Sequence, residues 1–303
     1  MPDPQSPLAT ILTPQLLHDA FEGRIPWPKE RELEFSLLVS SYFLGDFDVE
    51  TFRDICYPAL KQLSAVPLDA IPDLVQYLPP PEDPTYPVQA VGLLLLLDQG
   101  PRMLLEGADE RWTLGFFDVL ALRVARRLFV ELPENWRPCG LLRWRAMGYG
   151  VGHWLVAILW AIAPLTHSEH LSDHEAQLRI LADIRRTVQE QSNTVDPYDE
   201  IREQLHASPT ALYHAISNGP PAGDDIEMQD FAYWIMAMIY EGHSCVVRTF
   251  GRVPFYNGAL GRDDTEEEKQ FLASVNRMGC VAPETERRIR KDIAAGRWTP
   301  LGG

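Results

Sequence analysis

Apolar positions recur along this chain at intervals of three and four residues. Phe117, Leu120, Ala121, Val124 and Leu128 form one such stripe, the spacing that puts side chains on one face of a helix. Leu171, His174, Leu178, Leu181 and Ala182 form a second, and Phe231, Ile235, Met238 and Ile239 a third. Alternating strand-like runs joined by hairpin turns are not evident. The pattern predicts an all-α fold of antiparallel helix hairpins. Pro-rich breaks fall at residues 78–87 (LPPPEDPTYP) and 216–225 (ISNGPPAGDD), where turn residues cluster. Neither break separates segments of different composition. Residues 31–303 are therefore read as a single helical domain, with residues 1–30 as a Pro-rich arm that wraps it. No repeat of fixed period is visible. The most apolar segment, residues 151–165, contains His153 and Pro164. It is too short for a membrane span and reads as a buried helix.

Composition narrows the partners. With 46% hydrophobic and 23% charged residues the 303-residue chain has an ordinary globular make-up. Its net charge of -16 repels phosphate backbones and anionic lipid, so neither nucleic acid nor a membrane is expected as a partner. The local basic run at residues 286–297 reads as the solvated face of a terminal helix. Cys56, Cys139, Cys245 and Cys280 form no CxxC pair, so a zinc ribbon, redox motif or disulfide framework lacks its signature. The first residues carry no basic stretch followed by an apolar one, and a cytoplasmic location is expected. Nothing in the pattern sets an oligomeric state.

Three segments depart from this plain pattern. The first is LLLLLDQGPR, residues 93–102, where a run of leucines ends abruptly in Asp98 and Gln99. Gly100 and Pro101 are expected to stop the helix. Asp98 and Arg102 then form a structural ion pair or face a ligand, because a polar group against such a run must be partnered. The second is PLTHSEHLSDHE, residues 164–175. Pro164 is expected to end one helix and Thr166-x-x-Glu169 to cap the next. His167 and His174 fall on the expected stripe, and His170 and His174 have the i, i+4 spacing of helical metal ligands, although no HExxH is present.

The third segment runs from Tyr240 to Leu272. A helix carrying His243 and Arg248 is expected to stop at Gly251 and Pro254, and Thr265-x-x-Glu268 is a second capping box. Arg248, Arg252 and Arg262 stand close to Tyr256 and Asn257. Three guanidinium groups in one segment of an acidic protein imply ion pairs or a pocket for a carboxylate or phosphate. His243 and Cys245 point about 200° apart on a helix and cannot pair directly. A GxSxG elbow, a P-loop and a dinucleotide fingerprint are absent.

The order of these segments resembles the family known as domain of unknown function 924. Its pattern is an apolar run ending in Leu-Asp-Gln-x-Pro-Arg, then His-Ser-Glu, then a His followed by Arg-x-Phe-Gly-Arg-x-Pro and Asn-x-x-Leu-Gly-Arg. Here these stand as Leu97 to Arg102, His167-Ser168-Glu169, His243, Arg248 to Pro254 and Asn257 to Arg262. The resemblance spans roughly residues 34–272 and implies a tetratricopeptide-like helical array. Departures are Phe255-Tyr256 where the family has His-Arg, His174 where it has Gln, and Met103 where it has Asn. The segment between Leu128 and Pro164 is also longer or more divergent. These changes point to a remodelled, more hydrophobic pocket, as in a relative serving specialised biosynthesis, or to a lost activity.

The expected function is a cofactor-independent enzyme acting on a small organic anion by cleavage, cyclisation or isomerisation. His167, His243, Asp98 and Glu169 are the candidates for moving protons. Arg102, Arg248, Arg252, Tyr256, Asn257 and Gln99 are the candidates for holding substrate. No resident metal or cofactor is called for. Two alternatives stand beside it: a helical-repeat module that binds a peptide or protein, and a mononuclear metal site from His167, His170 or His174 with Glu169.

Overall fold

A computed structural model describes residues 7–302. The chain is all-α, and among the described residues there is no strand. The first helices are α1 (Pro7–Ile11), α2 (Pro14–Arg24), α3 (Phe35–Phe43) and α4 (Val49–Ser64). A long broken helix follows: α5 (Tyr86–Leu94), a wide π turn (Leu95–Gln99) and α6 (Gly100–Leu104). Its antiparallel partner is α7 (Glu110–Trp112), a second π turn (Thr113–Phe117), α8 (Asp118–Arg126) and a third π turn (Arg127–Glu131). Next come α9 (Leu141–Ala146), α10 (Val151–Thr166), α11 (Leu171–Ser192), α12 (Arg202–Leu205) and α13 (Ala211–Asn218). The chain continues through α14 (Met228–Trp234), a π turn (Ile235–Tyr240) and α15 (Glu241–Phe250), and ends with α16 (Asn257–Leu260), α17 (Glu266–Ser274) and α18 (Pro283–Ala294).

The core sits where α5 packs against α2 on one side and α10 on the other, with α8 and α11 also lying on α10. Leu93 to Leu97 are wholly buried there. Gly92 permits the closest of these approaches: a methyl group at this position would overlap the Leu17 carbonyl of α2. This is a backbone contact that only glycine allows. Helices α10 and α11 are joined by only four residues, the short link of antiparallel neighbours. The arrangement is compatible with a tetratricopeptide-like array. No helix among the described residues is long and apolar enough to cross a membrane. Within the segment 1–30, residues 1–6 lie outside the described residues. Leu17, Ala20 and Phe21 of α2 are buried in the core.

Burial overrides several expected helix boundaries. Gly100-Pro101 does not stop the first motif's helix. Pro101 has no N–H for the Leu97 carbonyl and its ring crowds that oxygen. The π turn absorbs the defect, with Gly100 N–H reaching back to Leu95 O, and the helix continues to Leu104. Pro164 likewise sits inside α10, which the buried Ile162, Ala163 and Leu165 carry through to Thr166. Thr166 is therefore not a cap. The next helix starts at Leu171 behind His170.

The stripes shift with these boundaries. Phe117, Leu120, Ala121, Val124 and Leu128 are all buried as expected. On α11, Leu171 and Ala182 face solvent, and the buried row runs instead through His174, Gln177, Leu181, Ile184 and Val188. In the third stripe the π turn changes the register. Tyr240 is buried while Met238 and Ile239 are only half-buried.

Candidate functional site

The first motif's π turn delivers Asp98 to the end of α10, where the chain turns toward α11. Asp98 is 1% exposed and fully partnered. It accepts a hydrogen bond from His167 Nδ1 at 2.8 Å and one from Gln99 Nε2 at 2.6 Å. Arg102, one helical turn on, holds Nε 3.6 Å from Asp98 Oδ1. Burial alone would push the Asp98 carboxyl up, but His167 and Arg102 outweigh it and hold the group at about 2. An ionised Asp98 requires the proton on His167 Nδ1, which leaves the lone pair of a neutral His167 on Nε2. Among the described residues Nε2 has no hydrogen-bond partner.

Arg102 is shared with a carboxylate that sequence reasoning missed. Its Nη2 donates to both oxygens of Asp118, at 2.8 and 2.7 Å. Burial and the neighbouring Asp98 raise the Asp118 carboxyl against the pull of Arg102. Asp98, Asp118, His167 and Tyr256 all line one cleft of about 140 Å³, whose apolar wall includes Leu114, Val119, Leu122 and Leu260. Burial pushes the Tyr256 phenol up to about 12, so it faces the cleft as a protonated hydroxyl. The available signal for Asp118 was its place in the otherwise apolar run Phe116-Phe117-Asp118-Val119-Leu120. A lone carboxylate in such a run must find a cation.

The other histidines differ in kind. His243 comes from α15, just after the fourth π turn, and its ring meets that of His167 edge to face at 6.0 Å. Its Nδ1 donates to Ile239 O at 2.7 Å. Burial, and then His167, push it down to about 3, so it is a neutral neighbour of the pair. His174 is buried, donates Nε2–H to Ser168 O at 2.8 Å and accepts from Ser244 at 3.2 Å. Both its nitrogens are spent, and His170 is exposed. His167, His170, His174 and Glu169 do not close on a common point that could hold a metal. Among the described residues such spacing occurs at His18, Asp19 and Glu22 on the surface.

The remaining motif residues form closed pairs. Glu169 lines the cleft but makes no capping box. It accepts two hydrogen bonds from Arg262 at 2.7 and 2.8 Å and one from Val253 N at 2.8 Å. Arg252 donates twice to Glu268, at 2.6 Å each, and once to the Asp263 carbonyl. Glu268 also completes the expected capping box with Thr265 and accepts from Asn257 at 3.3 Å. Asn257 donates as well to Asp264 at 2.8 Å. Ser168 is tied to Asp173, which Arg126 grips through two hydrogen bonds. Arg248 is exposed, lies outside the cleft wall and makes no ion pair among the described residues. The structure thus brings Asp98, Gln99, Arg102, His167, His243 and Tyr256 together. It sets Arg252 and Asn257 in a separate cluster and leaves Arg248 on the surface.

No curated protein and no solved structure matches this chain. A family profile does match, over residues 77–276, which contain every motif residue described above. The chain therefore belongs to the family described as bacterial protein of unknown function, DUF924.

Proposed function

We propose that the cleft is the active site of an enzyme that moves protons on a small organic molecule without a bound cofactor. His167 Nε2 acts as the base, Asp98 fixes the ring and stabilises its protonated form, and Tyr256 donates a hydrogen bond to the reacting group. The observation that carries this reading is the buried Asp98–His167 hydrogen bond of 2.8 Å beside a cleft. It turns one ring nitrogen inward and leaves the other unpartnered. Isomerisation, cyclisation or elimination all fit a positioned base with a neutral hydroxyl donor. The anionic substrate expected from the arginines has less support, because Arg102, Arg252 and Arg262 are paired with Asp118, Glu268 and Glu169.

That pairing favours a second reading, a helical module whose polar motifs only staple helices together. The two are separated by incubating the protein and its His167→Ala variant with a complex metabolite extract and comparing both by mass spectrometry. The enzyme reading expects compounds consumed by the wild type and spared by the variant, with turnover down about 10²–10⁴-fold. His167 is 16% exposed, and Asp98 keeps Gln99 and Arg102. Losing one hydrogen bond to the buried Asp98 costs about 1–3 kcal/mol, so the variant's Tm should fall by about 2–10 °C while the protein stays folded in the assay. Indistinguishable metabolite profiles would leave the module.

A further inference from the structure

The guanidinium groups nearest the cleft lie behind its carboxylates. Asp98, Asp118 and Glu169 line it, while no lysine or arginine does. Arg102 and Arg262 are each engaged through two hydrogen bonds to one of these carboxylates. Three carboxylates against two guanidinium groups leave one negative charge over when the imidazoles are neutral. A ligand carboxylate or phosphate would have to break the Arg262–Glu169 fork or approach Arg102 past Asp98 and Asp118, lying beside their negative charge in doing so. The fork is among the stronger protein hydrogen-bonded pairs, and like charge at Asp98 and Asp118 opposes an anion near Arg102, so anion binding is unfavourable.

We infer that the ligand of this cleft is a small primary amine whose ammonium group sits against Asp118 and whose apolar part lies along Leu114, Val119, Leu122 and Leu260. A carboxylate offers about four lone-pair sites, and Arg102 Nη2 takes one on each oxygen of Asp118. Acceptor capacity therefore remains on a group that lines the cleft. Burial and the nearby Asp98 work against the ionised form of Asp118, and an ammonium group would supply the missing counter-charge. A cavity of about 150 Å³ holds a molecule of benzene's size, and the cleft is close to that at about 140 Å³. The net charge of -16 also draws cations toward the protein. The inference rests on the cleft being the functional site, but not on the catalytic role of His167.

The test is an NMR titration of the full chain at pH 7 and low salt with three probes of one shape: n-butylamine, 1-butanol and butyrate. The His167 imidazole signals report binding in the cleft. The amine is expected to bind at least about tenfold more tightly than butyrate, a difference of about 1.4 kcal/mol. Its binding should weaken as salt rises, shift the His167 signals, and fall by a similar factor in Asp118→Asn. Equal or tighter binding of butyrate overturns the proposal. So does the absence of amine binding, or amine binding that leaves the His167 signals unmoved. The ranking of probes on the wild type stands even if Asp118→Asn does not fold. If the amine wins while His167→Ala leaves turnover unchanged, the catalytic reading fails and the amine site survives. If butyrate wins while His167→Ala abolishes turnover, the reverse holds.

Discussion

Two carboxylates of this protein look alike until their surroundings are counted. Asp98 and Glu268 are both nearly inaccessible, at 1% and 2%. Both are held at about 2, and both meet an arginine from the family's motifs. At Glu268 the bond from Arg252 is the main cause of the lowered value. There, every partner is structural: the Arg252 fork, the Thr265 backbone N–H and the Asn257 amide. At Asp98 one partner is an imidazole with its second nitrogen unpartnered, beside a cleft. Buried charge with an arginine does not distinguish a staple from a site. An unsaturated group at the end of the network does.

The largest effect that would sharpen this contrast is Glu268→Ala. It strips Arg252, Asn257 and the α17 cap of their common acceptor. Because the Arg252 left behind is partly exposed, the cost is that of lost charged hydrogen bonds and a cap, about 2–3 kcal/mol. Urea unfolding should show that loss, while His167 signals in the folded protein stay where they are. A loss below about 1 kcal/mol would mean that the cluster is no staple.

A smaller effect comes from His243. Its value is about 3 in the folded protein against an ordinary 6.5. As pH falls below 6.5 the unfolded chain takes up a proton that the folded chain refuses until about pH 3. Stability is thus lost across that window as pH drops, by at most about 1.4 kcal/mol per pH unit. Unfolding free energies from urea titrations at pH 7 and pH 5 should therefore differ by about 2 kcal/mol more in the wild type than in His243→Gln. Parallel curves would show that His243 is not sealed in its neutral form, and that the site is open on this side too.

The smallest effect is expected at Arg248. It belongs to the same motif as Arg252 but is exposed without an ion pair among the described residues. Arg248→Ala should change stability by less than about 0.5 kcal/mol and leave turnover in the metabolite assay unaltered. A large loss of turnover would extend the open site to the far end of α15.

Much of this organisation was legible from local pattern. The stripe from Phe117 to Leu128, the stop at Gly251 and the Thr265–Glu268 box all follow from spacing and residue type, and each appears as expected. The boundaries at Gly100-Pro101 and Thr166 were not legible. There the buried apolar surface of one helix outweighs its local stop signals, and at Gly100-Pro101 a π turn takes up the mismatch. Asp118 stayed hidden for a related reason: its only cue was a lone charge in an apolar run, and its partner lies on another helix.

The sequence by itself determined that the chain is helical, that residues 93–97 are buried, and that Asp98 therefore had to be partnered. It also supplied the polar groups, because three short motifs hold most of the cluster. Which groups pair, and which one is left open, only the tertiary structure decided. Asp98 and His167 are 69 positions apart, and Glu169 and Arg262 are 93. Periodicity describes a few turns of one helix, whereas ion pairing depends on where side chains of distant helices converge and lose their water. That convergence closed Arg102, Arg252 and Arg262 on carboxylates, left Arg248 in solvent, and turned one face of His167 to the cleft.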